Sequence, residues 1–101
     1  MFVSGTVGRD PETKEIARGD VAAQTRQALE TIRRHLERVG SGMDKVVKAT
    51  VFLVDMAHFS QMNEAYRAAF PEGRLPARSC VQVVALPDPE ALVEIEVVAG
   101  R

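Results

Sequence analysis

Residues 45–55 constrain the fold of this chain more than any other segment. They read KVVKATVFLVD and are rich in β-branched side chains, which predicts a strand. One face of that strand carries Val47, Ala49, Val51 and Leu53, and the other carries Val46, Thr50, Phe52 and Val54. A strand that is apolar on both faces is covered on both sides. We therefore expect the sheet that contains it to be buried between two layers.

Two amphipathic helices supply one of these layers. From Asp20 onward, apolar side chains recur at helical spacing, at Val21, Thr25, Ala28, Leu29, Ile32, Leu36 and Val39. Asp20 is a suitable N-cap, and Gly40 stands where a left-handed C-terminal residue belongs. A second helix is predicted over residues 56–70, with an apolar stripe of Phe59, Met62, Tyr66, Ala69 and Phe70.

The remaining segments complete one small domain, residues 1–101. Further strands are predicted at residues 1–5, 75–83 and 92–99, so the order is β-α-β-α-β-β. This order is typical of an α+β fold in which two helices pack on one face of a single sheet. The second face would then keep Val46, Phe52 and Val54, with Val84 and Val98 as further candidates. Such an apolar face predicts association between copies.

Charge and composition exclude several classes of function. The net charge is −1 and the basic residues are dispersed, which does not favour nucleic-acid binding. The densest basic group, Arg33, Arg34 and Arg38, is offset by Glu30 and Glu37, so we interpret it as a solvated helix face.

Cysteine and histidine content narrows the expectations further. With one cysteine there is no intrachain disulfide. There is also no apolar run of the ~20 residues that a membrane helix needs, and no signal-peptide pattern opens the chain. These features predict a cytoplasmic protein. His35 and His58 lack a second ligand at metal spacing, so we expect solvent-facing histidines and no metal.

Polar side chains on the last two predicted strands carry the candidate chemistry. Residues 75–83 read LPARSCVQV, with Arg78, Cys80 and Gln82 on one face and Ser79, Val81 and Val83 on the other. In the final strand, Glu94 and Glu96 share the face opposite the apolar positions. We expect these strands to be antiparallel neighbours, because the connection is short and contains proline. If Ser79, Val81 and Val83 face the helices, both polar rows meet on the second face of the sheet.

Two interpretations of this polar cluster are open. Arg78 could form an ion pair with Glu94 or Glu96 at a wet interface. Alternatively, the guanidinium could bind a small carboxylate in two parallel hydrogen bonds while a glutamate orients water or relays a proton. For Cys80 we favour packing or a backbone contact over nucleophilic attack, because no histidine in the segment raises its thiolate fraction.

The motif PARSCV at residues 76–81, followed by ALP at 85–87 and VEIE at 93–96, resembles the signature of the RidA family. That family is also called YjgF and was formerly known as the L-PSP endoribonucleases. Residues 4–5, 10–13, 21–29 and 46–53, and Met62-Asn63 with Tyr66, resemble it in order and spacing. The likeness covers essentially the whole chain.

The resemblance implies a chorismate-mutase-like fold and a homotrimer whose sheets form a central barrel, with active sites in the clefts between subunits. It implies an enamine/imine deaminase that converts 2-aminoacrylate-type products of pyridoxal-phosphate enzymes to 2-keto acids and ammonia, without metal or cofactor. It further implies that Arg78 binds the substrate carboxylate and that Glu94 positions the attacking water. The backbone at Cys80 would help to bind substrate, and Ser4-Gly5 would line the pocket.

Two departures from the family pattern affect these expectations. The family has another strand before the one that opens this chain, and it supplies an aromatic residue to the site; we expect an incomplete first hairpin or a truncated start. Thr6 stands where the family often has glutamine. A non-catalytic carboxylate-binding or regulatory protein is therefore the alternative. Ribonuclease activity or translation inhibition is disfavoured by the −1 charge.

Overall fold

A computed structural model describes residues 1–17 and 19–101, and it confirms the α+β class and the predicted order of elements in that part of the chain. The elements are β1 (Phe2–Val7), α1 (Val21–Arg38), β2 (Val46–Leu53), α2 (Phe59–Ala68), β3 (Ala77–Gln82) and β4 (Val93–Ala99). Short 3-10 turns, Met43–Lys45 and Met56–His58, precede β2 and α2. The second helix, predicted over residues 56–70, is therefore shorter than expected: its first turn is 3-10, and it ends at Ala68.

Helix α1 begins and ends where its cap residues predict. The Asp20 carboxylate accepts a hydrogen bond from the Ala23 N–H at 3.1 Å, which satisfies one of the free donors of the first turn. Gly40 has a φ of +83°, the left-handed conformation in which glycine is least strained. Val39 was predicted on the buried stripe but is 58% exposed, because the helix has already ended at Arg38.

The sheet order is β1-β4-β2-β3, which corrects the predicted pairing of the last two strands. β4 pairs antiparallel with β1 and β2, whereas β3 pairs parallel with β2. The reason is that α2 connects β2 to β3 as a crossover, and a helical crossover returns the chain in the parallel direction. Residues 83–92 then carry the chain past β2, so β3 is left as an edge strand.

The face of β2 toward the helices carries Ala49, Val51 and Leu53, all essentially buried. Their β4 partners, Val97, Ile95 and Val93, extend the same core. An irregular register between Val46 and Lys48 places Val46 in the core and leaves Val47 61% exposed. The predicted assignment of these two valines to the faces is therefore wrong, because a bulge breaks strict alternation.

The second face of the sheet is mixed rather than apolar, and we call it the open face. By register it carries Lys48, Thr50, Phe52, Glu94, Glu96 and Val98 from the two central strands. Phe2 on β1, paired with Val98, is 88% exposed. Val54 lies beyond the end of β2, and Val84 is fully exposed in the connection after β3, so neither extends the face as predicted.

Candidate active site

The polar row of β3 faces the helices, which is opposite to the predicted orientation. Arg78 and Cys80 pair with Ala49 and Val51, whose side chains lie in the core layer. The Gln82 side-chain oxygen accepts a hydrogen bond from the Met56 N–H at 2.6 Å, just before α2. Ser79 and Val81 were expected to face the helices, but they pair with Thr50 and Phe52 on the open face. The parallel pairing with β2 sets this orientation.

Arg78 is held against α2 by three side chains. Its Nη1 donates a hydrogen bond to Asn63 Oδ1 at 2.6 Å. Its guanidinium carbon lies 4.7 Å from the centre of the Tyr66 ring and 5.4 Å from that of Phe59, within range of cation–π attraction. A cleft of about 240 Å³ adjoins the arginine and is lined by Asn63, Tyr66, Arg67, Leu75, Pro76 and Arg78. The cleft is large enough for a small organic acid.

Tyr66 is the most deeply buried member of this group. It is 2% exposed, and its hydroxyl has no hydrogen-bond partner among the described residues. Burial raises the pKa of Tyr66 to about 12, against the opposing effect of the Arg78 charge. The phenol therefore stays neutral at physiological pH.

Cys80 is partly buried beside the arginine and packs against the hydrophobic core. Burial raises the pKa of its thiol, and the Arg78 charge opposes this only in part. A thiol with a raised pKa is a poor nucleophile at neutral pH. This environment favours the packing interpretation of Cys80.

Ser4 and Gly5 form a bulge in β1, next to Glu94. The register jumps between Val3 and Thr6, so two residues of β1 oppose one of β4. A Cβ placed on Gly5 would lie 2.6 Å from Glu94 Oε2 and 2.8 Å from its carboxyl carbon. The missing side chain at Gly5 thus lets the Glu94 carboxylate lie across the bulge on the open face.

Arg78 and Glu94 lie on opposite faces of the sheet within one chain. Arg78 shares the helix face with Ala49, whereas Glu94 shares the open face with Phe52. β2 also lies between their strands. The predicted meeting of the two polar rows is therefore wrong for a single chain, as is an ion pair of Arg78 with either glutamate of that chain. The cause is the parallel pairing of β3 with β2, whose register turns Arg78 toward the helices.

A buried glutamine on α1 holds the start of β4, a role that the sequence analysis did not predict. Gln24 is 4% exposed; its amide donates to the Glu90 carbonyl at 3.2 Å and accepts from the Leu92 N–H at 2.8 Å. The sequence signal that could have revealed Gln24 is its position directly before Thr25, which belongs to the buried stripe of α1. Arg9 also pairs with Asp88, which ties the turn after β1 to the segment before β4. Both contacts support the strand that carries Glu94.

The two histidines differ in environment. His35 is exposed, as expected, but His58 is only partly exposed, and its buried Nδ1 has no partner among the described residues. His58 lies at the end of the 3-10 turn that precedes α2. Across residues 1–17 and 19–101, no group of three or more histidine, cysteine or acidic side chains could hold a metal ion. In the same residues, no helix is both long and apolar enough to cross a membrane.

A larger cleft, of about 910 Å³, lies between the C-terminal ends of the helices. Its lining combines apolar residues, such as Met43 and Phe70, with the charged side chains of Arg33, Glu37 and Asp44. Arg33 is already paired with Glu30 and Glu37, which confirms the predicted solvated face. We therefore place the candidate site at Arg78.

A mixed four-stranded sheet with two helices on one face defines a small α+β protein of the chorismate-mutase-like class, and its candidate site has a half-buried arginine on the edge strand. The sequence profile of the family described as Endoribonuclease L-PSP matches residues 1–100. The chain belongs to this family, which includes the RidA and YjgF proteins.

Individual relatives agree with the family assignment. A RutC family protein of Pyrococcus horikoshii is 46% identical over 101 residues, covering 100% of this chain and 79% of the relative. The crystal structure of RidA from an Antarctic Psychrobacter matches with a TM-score of 0.90 at 41% identity, over 97% of this chain and 77% of the other. A Rid family protein of unknown function from Yersinia pestis matches with a TM-score of 0.93 at 42% identity, over 99% and 79%.

Proposed function

We propose that this protein is an enamine/imine deaminase, which hydrolyses reactive 2-aminoacrylate-type imines from pyridoxal-phosphate enzymes to 2-keto acids and ammonia. The observation that carries the proposal is the guanidinium of Arg78, held beside a cleft of about 240 Å³. A planar guanidinium binds a carboxylate through two parallel hydrogen bonds and fixes its orientation. The cytoplasm, where such imines form, remains the expected location.

The chemistry requires water, a proton relay and a fixed substrate. The enamine first takes a proton on its terminal carbon and becomes the imine. Water then adds to the imine carbon, the C=N π electrons move to nitrogen, and nitrogen takes up a proton. The hydroxyl proton of this adduct then passes through Glu94 to the nitrogen, the C–N bond breaks, and ammonia leaves as the C=O bond of the ketone forms. Glu94 positions the water and accepts its proton, while Arg78 holds the carboxylate, so the addition is effectively intramolecular.

The other candidate residues serve binding in this scheme. The backbone at Cys80 contacts the substrate next to Arg78, and Ser4-Gly5 lines the pocket on the side of Glu94. The imine is already electrophilic, so the reaction needs neither metal nor cofactor.

We further propose that the functional unit is a homotrimer in which the open faces form a central barrel. Arg78 and Glu94 of one chain are on opposite faces of the sheet, so a site that uses both needs a second copy. Exposed apolar side chains on the open face, Phe2 at 88% and Val81 at 43%, support its burial between subunits. The mass of the particle in solution tests this assembly, and a monomer would contradict it.

Ammonia release from 2-aminoacrylate, generated in situ from serine by a dehydratase, tests the activity. Arg78→Ala should lose about 2–5 kcal/mol of substrate binding, because it removes a charge-assisted pair. Arg78→Lys keeps the charge but loses the planar fork, so it should recover only part of the rate. Wild-type rates in Arg78→Ala, with folding intact, would refute the assignment.

A non-catalytic carboxylate-binding protein is the second candidate. The residues that line the cleft at Arg78 do not include Glu94, so the cleft could bind a carboxylate without the catalytic glutamate. Binding of pyruvate without any ammonia release by the wild-type protein would favour this candidate.

Ribonuclease activity, the older family description, is the least favoured, because the net charge is −1. An RNA-binding titration at several salt concentrations distinguishes it: strong binding that weakens steeply with salt would support it.

A further inference from the structure

We propose that α2 is a positioning element for Arg78. Phe59, Asn63 and Tyr66, which we call the α2 cradle, fix the guanidinium while leaving its charge available to an anionic ligand. The inference rests on the proposed function only in taking Arg78 as the carboxylate-binding residue.

The spacing of the α2 cradle is the first support. Its members are at positions i, i+4 and i+7, so they form one stripe along the helix. The two rings lie 5.4 and 4.7 Å from the guanidinium carbon, and the Asn63 oxygen accepts from Nη1 at 2.6 Å. A free arginine side chain samples many rotamers, and ordering it in advance removes that cost from ligand binding.

The chemical identity of Asn63 is the second support. An amide oxygen can orient a guanidinium without neutralising it, whereas a carboxylate at the same place would form an ion pair. Among residues 1–17 and 19–101, no carboxylate lies within ion-pair distance of Arg78. The positive charge is therefore oriented but not compensated, as an anion-binding group requires.

Tyr66 allows the role of the ring to be separated from that of the hydroxyl. The hydroxyl makes no hydrogen bond among the described residues, so Tyr66→Phe keeps the contact with Arg78. Tyr66→Leu removes the aromatic face and leaves an apolar side chain in the core. Met62→Leu is the matched control, because Met62 is a fully buried core residue of the same helix and belongs neither to the cradle nor to the cleft lining.

Side-chain NMR of the ligand-free protein measures the positioning directly. In the wild type, in Tyr66→Phe and in Met62→Leu, the Arg78 Nε–H signal should be displaced by the ring currents and should report an ordered side chain. In Tyr66→Leu the signal should move toward that of a free arginine and lose order. Unchanged Arg78 signals in folded Tyr66→Leu would overturn the inference, and so would an equal loss of order in Met62→Leu.

Binding of pyruvate, a small product-like carboxylate, measures the consequence. Tyr66→Leu should weaken binding about three- to thirtyfold, the range of a desolvated cation–π contact, while Tyr66→Phe should bind within about twofold of the wild type. Equal affinity in the wild type and in folded Tyr66→Leu would overturn the inference.

Asn63→Asp provides an independent test that leaves the core intact. The new carboxylate would lie about 2.6 Å from Nη1, form an ion pair and compete with the ligand. Pyruvate binding should weaken at least about tenfold while thermal stability is maintained or raised. Wild-type affinity in this variant would overturn the inference. The NMR measurement needs no turnover. If the wild-type protein shows no deaminase activity, the proposed function is refuted while the positioning of Arg78 by α2 can still be tested.

Discussion

Gly5→Ala should remove most of the proposed activity although neither proposed catalytic residue, Arg78 or Glu94, is replaced. The new Cβ would lie 2.6 Å from Glu94 Oε2, whereas an ordinary contact begins at 3.4 Å. The carboxylate must therefore move by about 0.8 Å. A misplacement of about 1 Å in a reacting group can cost ~100-fold in rate. We expect kcat/KM for imine hydrolysis to fall by about 30- to 100-fold.

The same substitution should change stability very little. The atom in conflict is at the end of a flexible side chain, and a strained rotamer costs about 0.5–1.5 kcal/mol. Replacing glycine by alanine also restricts the unfolded chain, which contributes about 0.4–1 kcal/mol in the opposite direction. Chemical denaturation should therefore give a free energy of unfolding within about 1 kcal/mol of the wild type.

Gly42→Ala is the matched control for this effect. Gly42 has an extended backbone, and a Cβ there would lie 2.8 Å from a carboxylate oxygen of Asp44. Neither residue lines the cleft at Arg78. The clash is of the same kind, so the stability change should be similar while ammonia release is unchanged. Equal rates in the two glycine variants would refute the reasoning.

A double variant shows whether Gly5 acts through Glu94. If it does, Gly5→Ala combined with Glu94→Gln should be no slower than Glu94→Gln alone, because the two changes disable one group. Additive losses would show that the alanine obstructs the pocket directly.

Three further predictions concern the scaffold. Ile32→Ala should lower the free energy of unfolding by about 2–5 kcal/mol in denaturant titrations, since Ile32 is fully buried. Gln24→Ala should cost roughly 2 kcal/mol for two lost hydrogen bonds, and hydrogen exchange should rise just before β4. The hydrogen bond from Arg9, helped by the Glu90 N–H, lowers the pKa of Asp88. Its stabilisation is therefore present above the ordinary aspartate pKa of about 4 and is lost as pH falls through the lower folded value. The melting temperature of Asp88→Asn should be lower than that of the wild type at neutral pH, and the two should converge at strongly acidic pH.

The helical layer was predictable because its signals are local. Asp20 and Gly40 mark the ends of α1, and the spacing of its apolar residues gives the buried stripe. The burial of Gln24 was not predictable in this way, because its hydrogen-bond partners, Glu90 and Leu92, belong to a distant segment of the chain.

The pairing of β3 was not predictable from strand pattern alone. At a sheet edge both faces are partly solvated, so alternation does not tell which face of residues 77–82 is buried. The crossover through α2 decides the parallel pairing, and with it the side to which Arg78 points.

Strand alternation drew attention to Arg78, Cys80 and Glu94, and the resemblance implied their roles. The PARSCV motif carries Arg78 and Cys80, and the VEIE motif carries Glu94. The α2 cradle was only partly visible, because Phe59 and Tyr66 read as core residues and Asn63 as an ordinary polar position. Their common role depends on a strand that follows them in the chain.

Co-assembly of two impaired variants tests most directly whether each site draws Arg78 from one chain and Glu94 from another. Arg78→Ala and Glu94→Gln should each keep only a small, measurable fraction of the wild-type rate when assembled alone. When equal amounts are assembled together, random mixing gives an intact pair at about a quarter of the sites, so about a quarter of the wild-type ammonia release should return. Mixed particles that stay as slow as the separate variants would contradict the account, as would full activity of Glu94→Gln alone.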